Sequence, residues 1–139
     1  MDYLGLISGS EIVVRKLPFM TAAVLLAAAM LASGCQQPPQ TSYSRDIQPL
    51  LKSHCQDCHV PGKPGFESSG LDVSTHAALM KGGKYGPLVM PGNALASTLN
   101  ALVEGRAHPS LRMPHGRGKL NDEDIKKLKD WVDQGAKNN

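Results

Sequence analysis

Apolar residues recur at helical spacing through the second half of the chain. The clearest stripe is Ile125, Leu128, Trp131 and Val132. Asn121 with Asp124 three residues on resembles a capping box, Asp122 and Glu123 suit the positive end of a helix, and Gly135 ends it. The opposite face, with Lys126, Lys127 and Lys129, reads as solvated surface. Leu95, Leu99, Leu102 and Val103 predict a helix opened by Asn93 and closed by Gly105. A two-turn helix is predicted between Ser74 as N-cap and Gly82 at its C-terminal end, with Leu71, Val73, Leu79 and Met80 covering core or cofactor. Further upstream, Ile47, Leu50 and Leu51 give an apolar face to a helix capped by Asp46, with Pro49 in its first turn. That helix runs into Cys55. Residues 60–65, Val-Pro-Gly-Lys-Pro-Gly, predict a loop, as do residues 106–112. No alternating run long enough for a strand occurs, so the predicted fold class is all-α, with about four short helices.

The first third of the chain follows another pattern. Arg15 and Lys16 precede an apolar run from Leu17 to Leu31, which ends in Ala32-Ser33-Gly34-Cys35. A basic pair, a short apolar core and small residues describe a secretory signal. The run falls short of the ~20 residues a membrane-spanning helix needs. Small residues leading into a cysteine also resemble the lipobox of bacterial lipoproteins, which implies that Cys35 becomes a lipidated N-terminus. The expected organisation is a signal peptide over residues 1–34, a lipid-anchored linker over 35–42, polar and proline-bearing, and a domain over 43–139.

The 139 residues carry 15 Lys and Arg against 12 Asp and Glu, a net charge of +3. The basic residues are scattered rather than clustered, which argues against a nucleic-acid partner. There are three cysteines. With Cys35 assigned to lipid, the other two stand three apart in Cys55-Gln56-Asp57-Cys58-His59.

Cys-x-x-Cys-His is the attachment signature of a c-type haem. Residues i and i+3 share one face of a helical turn, so two thiols can form thioethers with neighbouring vinyl groups. His59 then takes the proximal position on iron. A zinc site would want a second Cys or His pair, and a thioredoxin-like dithiol would want a βαβ setting; the sequence offers neither. Gln56 and Asp57 read as solvated. A carbonyl from Pro61 to Pro64 is the expected acceptor for the second ring nitrogen of His59.

A haem electron carrier normally has a ligand on each face. Candidates are Met80, Met90 and Met113, with His54, His76, His108 and His115. Met113 leads: Pro114 keeps it out of a helix, so it projects from a loop that the last helix can brace. Met90 also precedes a proline and is its rival. Met80 reads as packing, His54 as pointing elsewhere, and His76, His108 and His115 as exposed.

Taken together, Tyr43-Ser-Arg-Asp-Ile-x-Pro-Leu-Leu51, Cys-x-x-Cys-His, Gly70-Leu-Asp-Val73, Gly86-Pro-Leu-Val-Met-Pro-Gly92, Ser97-x-Leu99, Met113-Pro114 and Leu120-Asn-Asp-Glu-Asp-Ile through Ala136 resemble the planctomycete-type cytochrome c domain. The resemblance spans Tyr43 to Ala136. It implies a class I-like cytochrome c fold with N- and C-terminal helices packed together around one covalent haem c. It also implies Cys55 and Cys58 as attachment points, His59 as proximal and Met113 as distal iron ligand. The expected role is a non-enzymatic, monohaem one-electron carrier, exported to the periplasmic side of a bacterial membrane, tethered there through Cys35 and exchanging electrons with redox protein partners. Lys84, Arg112 and Lys119 are candidates for docking an acidic partner. A haem enzyme or sensor with an open distal site is the alternative, with His115 as its acid–base group. A thiol-based zinc or dithiol protein is a third.

Overall fold

The computed structural model describes residues 38–139, and Pro39–Asn139 form one compact unit. The expected signal peptide and Cys35 lie outside the described residues. Five α-helices occur among these: α1 (Gln48–His54), α2 (Pro64–Ser69), α3 (His76–Lys81), α4 (Thr98–Glu104) and α5 (Asp122–Asp133). A π-helical turn over Tyr43–Ile47 leads directly into α1, and a single 3-10 turn covers Pro109–Leu111. No strand occurs among the described residues; one isolated bridge joins Gly83 and Gly86. The chain is all-α. None of these helices is long and apolar enough to cross a membrane.

The first helix starts earlier than its expected cap. Ser42 is the cap residue of the π turn: its hydroxyl accepts the Arg45 N–H at 3.3 Å. Asp46 sits inside the turn and reaches back, its carboxylate accepting the Ser42 N–H at 2.8 Å. The two residues thus satisfy each other's end of the turn in the manner of a capping box, so the cap is Ser42 and not the expected Asp46. Pro49 falls in the first turn of α1, where the missing N–H costs nothing.

The C-terminal helix lies against this N-terminal segment. Leu128, Trp131 and Val132 are fully buried with Ile47 and Leu51, which is what their spacing requires. Tyr43, His76 and Trp131 form an aromatic cluster, with Tyr43 and His76 edge-to-face at 4.9 Å. His76 is half-buried rather than exposed, and its Nε2 lies 2.8 Å from the Ala136 carbonyl. Both chain ends of the unit are bonded together: Thr41 N–H donates to Gln134 Oε1 at 2.7 Å and Tyr43 N–H to Asn139 Oδ1 at 2.8 Å. Residues 39–42, expected as tether, therefore lie docked on the domain.

Helix α5 begins as its sequence predicts. Asn121 Oδ1 accepts the Asp124 N–H at 2.8 Å, while Asp124 returns a side-chain contact to Asn121 Nδ2 at 2.8 Å. Three i,i+4 pairs, Glu123–Lys127, Lys126–Asp130 and Lys129–Asp133, line its outer face. These pairs are exposed and screened by solvent, so the buried stripe holds the helix.

Three boundaries differ from expectation. Helix α3 is capped by Thr75, whose hydroxyl accepts the Ala78 N–H, and not by Ser74. Helix α4 starts at Thr98, because Asn93 spends its side chain on the Ala96 N–H and Ser97 closes a tight turn onto Met90 and Asn93. Leu95 therefore leaves the apolar stripe and is exposed. Within the expected loop at residues 60–65, Pro64 opens helix α2: Lys63 is extended, as a residue before proline must be, and Pro64 takes the first helical position.

Candidate functional site

Helix α1 ends at His54, and the cysteine motif follows as a tight turn. Cys55 N–H donates to Leu51 O at 2.9 Å, Cys58 N–H to Cys55 O at 3.1 Å and His59 N–H to Cys55 O at 2.9 Å. The carbonyls of this turn are themselves bonded by later residues. Phe66 N–H binds the Cys58 carbonyl and Val73 N–H the His59 carbonyl, each at 2.9 Å. Helix α2 packs so closely here that a Cβ on Gly65 would stand 2.7 Å from Cys58 O and 2.9 Å from His59 Cε1.

Cys55, Cys58, His59 and Met113 all line one cleft of about 620 Å³. This is the size range of cofactor pockets, roughly 300–1,000 Å³. Its walls are mostly aliphatic, with Leu71, Val73, Leu88, Leu99, Leu102 and Val103 among the lining residues. Met113 is held there by its N–H, which donates to Leu102 O at 3.1 Å, tying its loop to α4. Met90 is 47 % exposed and lies outside the lining, and so do Met80, His76 and His108. The cleft thus brings together the leading sequence candidates and leaves the rival methionine outside.

Burial sets the chemistry of the donors. It pushes the Cys55 thiol up to about 11, against a smaller opposing pull from Arg117, so that thiol stays protonated near neutrality. Burial also lowers the His59 imidazole below its ordinary value, and the neighbouring His115 lowers it further. A neutral imidazole keeps a lone pair for a metal. The expected carbonyl acceptor from Pro61–Pro64 is not the partner found: Ser69 Oγ stands 3.5 Å from His59 Nδ1 and itself donates to Gly65 O at 2.5 Å. Because Pro64 starts a helix, Ser69 comes round one turn later to face the ring.

A haem fits these residues. The cleft is apolar, two thiols stand at its edge on one turn, and a nitrogen and a thioether donor share its walls. No group of three His, Cys, Asp or Glu among the described residues stands close enough to hold a metal alone, which a zinc site needs.

Several lining residues carry no sequence signal of their own. His54 lines the cleft instead of pointing away, with Nε2 3.8 Å from Asp124 Oδ2. Gly65 sits in a Pro-Gly pair that reads as a turn. Asp57 is paired with Arg117, 60 residues on, at 2.7 Å. Only a long-range fold brings these together.

Residues 55–115 match the family model described as Planctomycete cytochrome C. No curated protein and no solved structure matches the chain. The matched segment runs from the first cysteine of the motif past Met113, and so contains both the turn and the loop that face each other in the cleft. Over these residues the chain is similar to planctomycete-type cytochrome c domains, haem-binding domains that suit an electron carrier.

Proposed function

We propose that the domain is a monohaem c-type cytochrome that carries single electrons. The observation that carries this reading is the convergence of Cys55, Cys58, His59 and Met113 on one apolar cleft. In this reading Cys55 and Cys58 would form the thioether links, and His59 and Met113 would donate to the iron. When bound, the haem supplies a ferric/ferrous couple, and thioether ligation raises its potential. The chain's own contribution is to hold both donors in place and keep water out. Leu71, Val73, Leu99 and Val103 exclude solvent from the iron site, and the Gly65 contact fixes the His59 ring. With His59 and Met113 both donating, the iron would have no open position for substrate, which favours electron transfer over catalysis.

The export reading completes the proposal. The segment before Cys35 directs secretion, Cys35 carries the lipid, and the domain faces the periplasm from a bacterial membrane. Its partners are redox proteins. Lys84 and Lys119 are partly engaged already, with the Glu67 carbonyl and the Asp122 carboxylate, whereas the Arg112 side chain has no such bond among the described residues.

One observation favours the second reading, a haem enzyme or sensor: His115 lines the same cleft, two residues from Met113. Replacing Met113 separates the two. Met113→Ala abolishes the near-infrared charge-transfer band of methionine-ligated ferric haem in the electron-carrier reading. A variant that keeps the band overturns Met113 as ligand, and a wild type that binds peroxide or small gases without displacing a ligand favours the second reading.

A further inference from the structure

The loop that carries Met113 has few ties to the rest of the domain. Its near end is fixed by the Met113 N–H on Leu102 O, and its far end by the buried Leu120. Between them, among the described residues, the only hydrogen bonds from residues 114–118 to another element come from Arg117. Arg117 Nη2 donates to Asp57 Oδ2 at 2.7 Å, and Nη1 lies 3.4 Å from the Ser53 carbonyl in the last turn of α1. Asp57 stands between the two cysteines, and Arg117 itself lines the cleft. One side chain therefore joins the loop of the distal donor to the turn of the proximal one. An arginine suits this place because its planar fork reaches two acceptors at once, which a lysine ammonium does with less geometric control.

We propose that the Arg117–Asp57 pair is a strap that positions Met113 as second ligand to the iron. The proposal rests on the reading of Met113 as that ligand. With the strap closed, the loop between Met113 and Leu120 loses part of its conformational freedom before Met113 meets the iron, so less entropy is lost on ligation. With the strap open, the same loop samples more conformations, and the population holding Met113 on the iron falls. Arg117 is thus a positioning residue for the axial bond.

Both partners are partly exposed, 46 % and 67 % of their side-chain surface. Exposed pairs are weak and screened, so the expected shift is about two- to five-fold in a ligand-exchange equilibrium and shrinks at ~1 M salt.

The test is an imidazole titration of the oxidised full-length protein, followed through the methionine–iron near-infrared band. The variants are Arg117→Ala, Asp57→Asn, the double variant and Arg117→Lys, each at low and high salt. The strap predicts that Arg117→Ala and Asp57→Asn both bind imidazole about two- to five-fold more tightly than wild type. The double variant binds no more tightly than the stronger single variant, and Arg117→Lys lies between wild type and Arg117→Ala. A purely electrostatic role predicts opposite shifts for the two single variants, because one removes a positive and the other a negative charge. Opposite shifts, or unchanged affinity in both, overturn the strap and leave Met113 as ligand. A wild type without the band overturns Met113 ligation and the strap with it.

Discussion

A Cβ placed on Gly65 would lie 2.9 Å from His59 Cε1, with the Cys58 carbonyl closer still at 2.7 Å. The glycine backbone is therefore part of the wall against which the His59 imidazole rests. Its φ is not in the left-handed region, so what demands glycine is space, not conformation. Gly65→Ala forces the ring or the Cys58 backbone to move. Overpacking of this kind costs about 1–3 kcal/mol. In a domain of this size each kcal/mol lowers the thermal midpoint by about 4–8 °C. Gly118→Ala is the control, since no atom stands within 4 Å of a Cβ there and its φ is unremarkable; that midpoint should hold or rise slightly. Equal midpoints for the two variants would contradict the close packing at His59.

Tyr43 offers a second test. Its ring packs on His76 and Trp131, yet its hydroxyl is buried with no hydrogen-bond partner among the described residues. An unpaired buried hydroxyl costs about 1–3 kcal/mol, which phenylalanine removes while keeping the ring. Tyr43→Phe is therefore expected to leave the urea midpoint unchanged or raise it. A clear drop would mean that the hydroxyl has a partner in solution.

The capping pair at the N-terminus predicts a pH dependence. Hydrogen bonding to Arg45, then to the Ser42 N–H, holds Asp46 below its ordinary value of 3.8. Because its folded-state value is depressed, the unfolded chain binds the proton more readily. Its contribution is present above 3.8 and is lost as pH falls through the depressed value. Asp46→Ala removes its bond to the Ser42 N–H and should cost about 0.5–1.5 kcal/mol near neutrality. Urea unfolding at a series of pH values should show the wild type and variant converging below 3.8. A difference that stays constant down to that range would show that the charge on Asp46 contributes nothing.

Much of this site was legible along the chain, and the reasons it was legible are local. The cysteine motif is contiguous, Met113 is marked by Pro114, and α5 announces both its cap and its stripe within one stretch of fifteen residues, 121–135. What stayed hidden depends on distance. Helix α2 looked like loop because Pro61, Gly62, Pro64 and Gly65 are breakers individually, although Pro64 is well placed once it is the first helical residue. The Ser69 contact to His59 follows only from that helix. Leu95 counted towards a helical stripe by spacing, but the Ser97 turn takes precedence locally and turns it outward. Asp57 reads as a solvated charge and nothing along the chain marks Arg117; their meeting is set by how the 113–120 loop returns to the cysteine turn.

The most direct test of the account is a visible spectrum of the protein expressed with a c-type cytochrome maturation system, repeated after acid-acetone extraction. The account predicts sharp reduced α and β bands and a haem that stays with the polypeptide through extraction, lost when Cys55 and Cys58 are both replaced by alanine. A protein that remains colourless under those conditions, or whose haem passes into the acetone, would contradict covalent attachment at Cys55 and Cys58.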